Sequence, residues 1–294
     1  MEEEPGSAEN LWQTREVERI VHRQLREGSW KYPGGGKEYV RSKEDYNQIE
    51  TFRVLGLLVE KHGLDRRHPA IEKAAEYLFS CQTEDGDFRG IYGCQYTPNY
   101  SAAIMELLIK SGYGADPRIE RGFKWLLSVR QNDGGWAVPL RTVGTKFKLT
   151  EALKNPEPIK PDKSKPFSHC ITGVVLRAFA AHEEYRKTQE ANTAGELLKS
   201  RFFKPDKYPD RRAPSFWTKF SFPFWFTDLL SALDSLSLMR FSPADPQIKE
   251  ALEWLNSKQK QDGKWDLPLL RSKDTELSLW IGLAICRVLK RFYG

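Results

Sequence analysis

At 294 residues, 39% hydrophobic and 29% charged, the chain suits a water-soluble globular protein of one large domain or two small ones. Its net charge of +6 is spread over 46 basic and 40 acidic residues without a Lys/Arg block, and no zinc-finger or RNA-binding aromatic motif accompanies it, which sets nucleic acid aside as a partner. No apolar run is long enough for a membrane span, the acidic start MEEEPGSAEN is the reverse of a secretory leader, and Cys81, Cys94, Cys170 and Cys286 form no CxxC pair, so a reducing, cytoplasmic setting is expected.

The predicted elements alternate along the chain. REVERIVHRQLREGSW comes first and ends in Gly28 and Trp30. Residues 46–61 follow as a helix that is apolar over more of its circumference, which argues for burial on several sides. HPAIEKAAEYLFSCQTEDGDF, from His68, opens with a polar residue and a proline, the pattern of an N-cap followed by Pro at the first helical position. It places Ile71, Ala74, Ala75 and Leu78 on one helical face and closes with Asp85-Gly86 and Phe88. After an apolar helix at 101–110, DPRIERGFKWLLSVRQNDGGW from Asp116 repeats the pattern as far as Trp136. An apolar helix at 171–183, a degenerate amphipathic one at 190–199 and another apolar helix at 227–239 come next. DPQIKEALEWLNSKQKQDGKW from Asp245 and a last apolar helix at 277–291 complete the series. As caps, Asp116 and Asp245 are expected to be good and His68 poorer.

Outer and inner helices thus alternate about five times. Such hairpins cannot bury their apolar faces alone, so they stack, and closing the stack into a ring would protect both ends. The expectation is an all-α fold, a single domain over 1–294. Connections from inner to outer helices are short, whereas those from outer to inner helices are long: 31–43, 142–165 and 202–222. The long ones gather at one mouth, where a site is expected; the Lys- and Pro-rich stretch 141–165 reads as a lid or as a disordered insertion.

The turns CQTEDGDF, RQNDGGW and KQKQDGKW resemble the QW repeats of squalene-hopene and oxidosqualene cyclases. DFRGIYGCQYTPNYSAAI is similar to the cyclase pattern of an aromatic turn leading into an inner helix. The resemblance runs from about residue 17 to 291 and implies an α/α toroid, a fold shared by terpene cyclases, zinc-dependent prenyltransferase β-subunits and non-catalytic relatives. For a cyclase it implies an Asp in Asp-x-Asp-Asp that protonates a double bond or epoxide, with aromatic faces steadying the cation. This chain has no Asp-x-Asp-Asp and no Asp-Asp-x-x-Asp.

The candidate acids are therefore Asp228, crowded by Phe222, Phe224, Trp225 and Phe226, and Asp274 with Glu276 before the last inner helix. Aromatic surroundings raise a carboxyl pKa. Asp274 also reads simply as an N-cap, and Glu44 and Asp45 as first-turn acids favoured by the helix dipole. The prenyltransferase side of the resemblance implies zinc held by Cys94 and His169, with Cys170 adjacent, but Tyr92 stands where an Asp ligand belongs.

Aromatics near inner-helix starts, Tyr46, Tyr92, Tyr96, Tyr100, Phe167, Trp225 and Trp280, are candidates to line a central cavity, with packing between hairpins as the alternative. Arg89, Arg211, Arg212 and Lys219 could meet a diphosphate or simply be solvated. The leading expectation is a terpene-cyclase-like enzyme acting on a hydrophobic isoprenoid or lipid, with peripheral membrane contact, a non-standard acid and no cofactor unless zinc. Its rivals are zinc-assisted prenyl transfer and a catalytically silent lipid- or peptide-binding module.

Overall fold

A computed structural model describes residues 8–34, 43–90, 93–144, 157–270 and 275–294. Tyr92 and Asp274 lie outside the described residues. Among those described, regular structure is helical, with isolated bridges at the turns. The α-helices are α1 (Arg15–Val21), α2 (Lys43–Glu60), α3 (Pro69–Ser80), α4 (Pro98–Leu108), α5 (Pro117–Ser128), α6 (Pro139–Thr142), α7 (His169–Ala181), α8 (Gln189–Lys199), α9 (Leu229–Leu238), α10 (Pro246–Asn256) and α11 (Thr275–Tyr293). None is long and apolar enough to cross a membrane.

The chain separates into two compact units, 1–128 with 144–160, and 129–143 with 161–294. In the first, α2 packs on α3 and α4, and α4 packs on α5. In the second, α7 packs on α8 and α9, and α9 packs on α11.

Outer helices bury one stripe. In α3 it is Ala70, Ile71, Ala74, Ala75, Leu78 and Phe79, extending the expected face by a residue at each end. Inner helices are enclosed: every residue of α7 from His169 to Ala180 is buried, as is every residue of α9 from Leu229 to Ser237. Asp245 caps α10, with Oδ1 accepting from the Gln247 amide at 3.1 Å, and Asp116 accepts from the Arg118 amide at 2.8 Å. His68, the expected weak cap, accepts from the Ala70 amide through Nδ1 at 3.1 Å.

Two ties recur at the Gly-aromatic turns. In the first, Nε2 of a glutamine donates both to its own turn and to the second residue of the next outer helix. Gln24 reaches Gly28 O and Ala70 O, both at 2.8 Å; Gln82 reaches Gly86 O at 2.9 Å and Arg118 O at 2.8 Å. Arg130 takes this place in the third turn, donating to Gly134 O at 2.7 Å and Glu190 O at 3.4 Å. In the second tie, the aromatic residue's backbone amide donates to a hydroxyl on the inner helix that follows. Trp30 binds Thr51 Oγ1 at 2.9 Å, Phe88 binds Ser101 Oγ at 3.1 Å, and Trp136 binds Thr172 Oγ1 at 2.9 Å. Glycine is required where the turn meets the next helix: at Gly86, φ is 108° and a Cβ would fall on the Arg121 carbonyl.

The long connections are built into the units. Residues 202–222 carry a 3₁₀ turn, Pro214–Thr218, and supply Phe202, Trp217 and Phe220 to the buried core. Phe220 pairs with the segment before α11, its amide donating to Pro268 O at 2.9 Å. Of 142–165, the described part is pinned in each unit. In the first unit, Gln95 Oε1 accepts from the Ile159 amide at 2.8 Å; in the second, Gln131 Nε2 donates to Asp162 O at 2.8 Å and Lys165 O at 3.0 Å.

Candidate functional site

The N-termini of α7 and α9 carry three buried titratable groups of the second unit, His169, Cys170 and Asp228. Gly173 on α7 leaves room for the Thr227 side chain, where a Cβ would collide. Thr227 Oγ1 donates to Cys170 O at 2.6 Å, and this close approach sets the next residue, Asp228, in the interior.

Asp228 is the N-cap of α9. Its Oδ1 accepts from the Ser231 amide at 2.8 Å, while its own amide donates to Ser231 Oγ at 3.0 Å, a reciprocal capping box. Arg177 on α7, itself buried, donates to Phe226 O at 3.2 Å, and its positive charge favours the ionised form of Asp228. Burial nevertheless dominates, because removing a carboxylate from water costs more than these bonds return. The Asp228 pKa is pushed up to about 7. In the same loop, Phe222 and Phe224 are buried and meet edge to face at 5.5 Å, and Phe222 stacks on Trp280 at 5.7 Å. Trp225 is half-buried.

A second cluster sits at the start of α7. Asp206 is buried, and its Oδ2 accepts from Ser168 Oγ and from the Cys170 amide, both at 2.9 Å. His169 stacks on Trp217 at 4.6 Å, with Nδ1 3.3 Å from Asp206 Oδ2. Burial lowers the His169 pKa to about 4 in spite of the Asp206 charge, so the imidazole is neutral at pH 7. Burial likewise raises the Cys170 thiol to about 12, away from the thiolate a metal requires.

The other expected residues are described unit by unit. Glu276 is exposed and accepts from Trp280 Nε1 at 3.0 Å, so it lies in water and not in the dry surroundings a proton donor needs. Cys94 is exposed in the first unit, whereas His169 is buried in the second. Among the described residues, no three His, Cys, Asp or Glu side chains gather closely enough to hold a metal ion.

In the first unit, Tyr96 is buried edge-on against Trp125 at 5.1 Å, Tyr46 packs on Tyr32 at 5.1 Å, and Tyr100 meets Phe52 at 6.4 Å. Phe167 is half-buried beside Gly135. Arg89 pairs with Asp87 at 2.8 Å, and Arg211 lies over the Phe226 ring at 3.3 Å. Sequence reasoning missed Asp206 and Arg177. Neither sits in a motif; only the folded chain brings them to the helix starts.

The family model for the squalene-hopene cyclase C-terminal domain matches residues 45–146. A squalene-hopene cyclase of Schizosaccharomyces japonicus is 36% identical over 66 residues, 22% of this chain and 10% of that protein. A terpene cyclase-glycosyl transferase fusion protein of Humicola fuscoatra is 30% identical over 105 residues, 35% of this chain and 8% of that protein. The chain thus spans about a tenth of the length of these curated relatives. Among solved structures, a polysaccharide lyase aligns over 96% of this chain and 86% of its own, at TM-score 0.51 and 13% identity, a likeness of fold alone. The fold class is all-α, built of the alternating hairpins that make up α/α toroids.

Proposed function

From a chain that is squalene-cyclase-like over residues 45–146, we propose a terpene-cyclase-like enzyme that acts on a hydrophobic isoprenoid, with Asp228 as its acid. One observation carries this reading: a buried carboxyl at the N-cap of α9, at the end of a loop whose Phe222 and Phe224 are also buried, with a pKa of about 7 that keeps a large share of it protonated at neutral pH. Such a group can give its proton to a carbon–carbon double bond. The carboxylate left behind would be steadied by the Arg177 charge and by the Ser231 amide. Phe222, Phe224, Trp225 and Trp280 would offer π-faces to the cation. Loss of a proton from the cyclised cation restores the acid, so substrate and product are isomers and no cofactor is consumed.

The test is incubation with squalene and shorter polyprenes, followed by mass spectrometry for a product of unchanged mass. Asp228→Asn should lower turnover at least ~100-fold in a protein with an unchanged circular-dichroism spectrum. Full turnover in that variant would remove the assignment.

The capping box favours a second reading, a module that binds isoprenoid or lipid without altering it, because Asp228 already has a structural task. Under that reading, lipid recovered from the purified protein is chemically unchanged, and Asp228→Asn affects stability alone.

A further inference from the structure

Arg211 holds a backbone conformation that an L residue seldom adopts, with φ at 54°. The turn around it is fixed from both sides. The Asp206 amide donates to Arg212 O at 2.9 Å, and Arg141 forks onto the two oxygens of the neighbouring Asp210 carboxylate at 2.6 and 2.8 Å. Neither tie uses the Arg211 side chain. Glycine would take this φ without steric cost, so what arginine adds at the position is its side chain.

That side chain lies over aromatic rings. The guanidinium carbon is 3.3 Å from the centre of the Phe226 ring and 5.0 Å from that of Phe216. All three residues are half-buried. A cation and a ring face attract each other at such a distance, and more strongly where water is partly excluded.

Phe226 is in turn where the surroundings of Asp228 meet. Its carbonyl oxygen accepts from Arg177 at 3.2 Å and from Ser231 Oγ at 3.3 Å. The Arg177 charge bears on the Asp228 carboxyl, and the Ser231 amide donates to that carboxyl at 2.8 Å. Two residues beyond Phe226, Asp228 opens α9. A Phe226 free to turn would loosen both partners and let water into the loop.

We propose that Arg211 is a positioning residue for Asp228, clasping the Phe226 ring so that the 221–228 loop keeps water from the buried carboxyl. The role rests on Asp228 being the acid of the site, but the clasp can be tested without a substrate.

The experiment follows the Asp228 carboxyl with pH by ¹³C NMR. In Arg211→Ala its midpoint should fall from about 7 towards 3.8, by at least ~10-fold in the acid constant, with helical content unchanged. Arg211→Gly, which also relieves the backbone, should give the same fall and serves if the alanine variant folds poorly. Phe226→Leu should lower the midpoint too, whereas Arg211→Lys, which keeps a cation, should retain most of it. Lys219 lies 5.2 Å from the Phe216 ring, and Lys219→Ala should leave the midpoint in place. Where an isoprenoid is turned over, the alkaline limb of the pH profile should move down with the midpoint. An unchanged midpoint in Arg211→Gly or in Phe226→Leu overturns the proposal. So does an equal fall in Lys219→Ala, or a fall in Arg211→Lys as large as that in Arg211→Ala. Full turnover in Asp228→Asn would strike the acid reading alone, and the titration would still decide the clasp.

Discussion

Replacing Gln82 with leucine should destabilise the protein by about 1–2 kcal/mol, whereas the same change at Gln259 should cost less than ~0.5 kcal/mol. Gln82 Nε2 makes two part-buried hydrogen bonds, to Gly86 O at 2.9 Å and to Arg118 O at 2.8 Å. Each contributes roughly 1 kcal/mol net, and leucine leaves both carbonyls short of a donor. The loss is tempered because Gln82 Oε1 is buried without a hydrogen-bond partner, a penalty that leucine removes. Gln259 makes one bond, at 3.0 Å, in an exposed turn. Urea denaturation at low protein concentration measures both variants against the parent, with the midpoint shift read at constant m-value. Equal shifts for the two variants would refute the idea that the glutamine works by joining consecutive outer helices.

Two pH dependences follow from burial, with opposite signs. In the native state Asp228 stays protonated up to about pH 7, while an unfolded Asp ionises near its ordinary value of 3.8, so stability falls as pH rises between these values. Asp228→Asn lacks this descent, and relative to the parent it should gain stability from pH 4 to 7, by at most about 4 kcal/mol. His169 stays neutral down to about 4 in the native state but takes up a proton below 6.5 when unfolded, so it makes stability rise with pH across that window. His169→Phe should flatten that acid limb in urea denaturation; an unchanged limb would place the imidazole in contact with water.

Much of the fold was legible because it rests on local rules. A 3.6-residue apolar stripe, proline after a cap and Asp-Gly before an aromatic residue each act within a few positions, and α3, α5 and α10 follow them. The inner helices were legible from apolar residues on all sides of α4, α7 and α9. The ties that join hairpins were not. Gln82 stood in plain view inside its turn, but its second acceptor is 36 residues away, and nothing distinguished Thr51, Ser101 or Thr172 from ordinary helix residues.

The candidate site divides in the same way. The aromatic company of Asp228 was visible in FPFWFTD, and its burial follows from that company together with the close approach at Gly173. Asp206 was invisible, because its bond to the Cys170 amide spans 36 residues and depends on the path of the 202–222 loop. That loop read as a long connection at the mouth; its aromatic residues Phe202, Trp217 and Phe220 are buried core, which a count of loop length could not disclose.

The protonation state of Asp228 tests the account most directly. In protein labelled with ¹³C at aspartate Cγ, the resonance absent from Asp228→Asn identifies the group, and its shift is followed with pH. The account predicts a carboxyl still protonated at pH 6 that titrates near 7. Ionisation at the ordinary value of 3.8 would contradict it and leave Asp228 a helix cap alone.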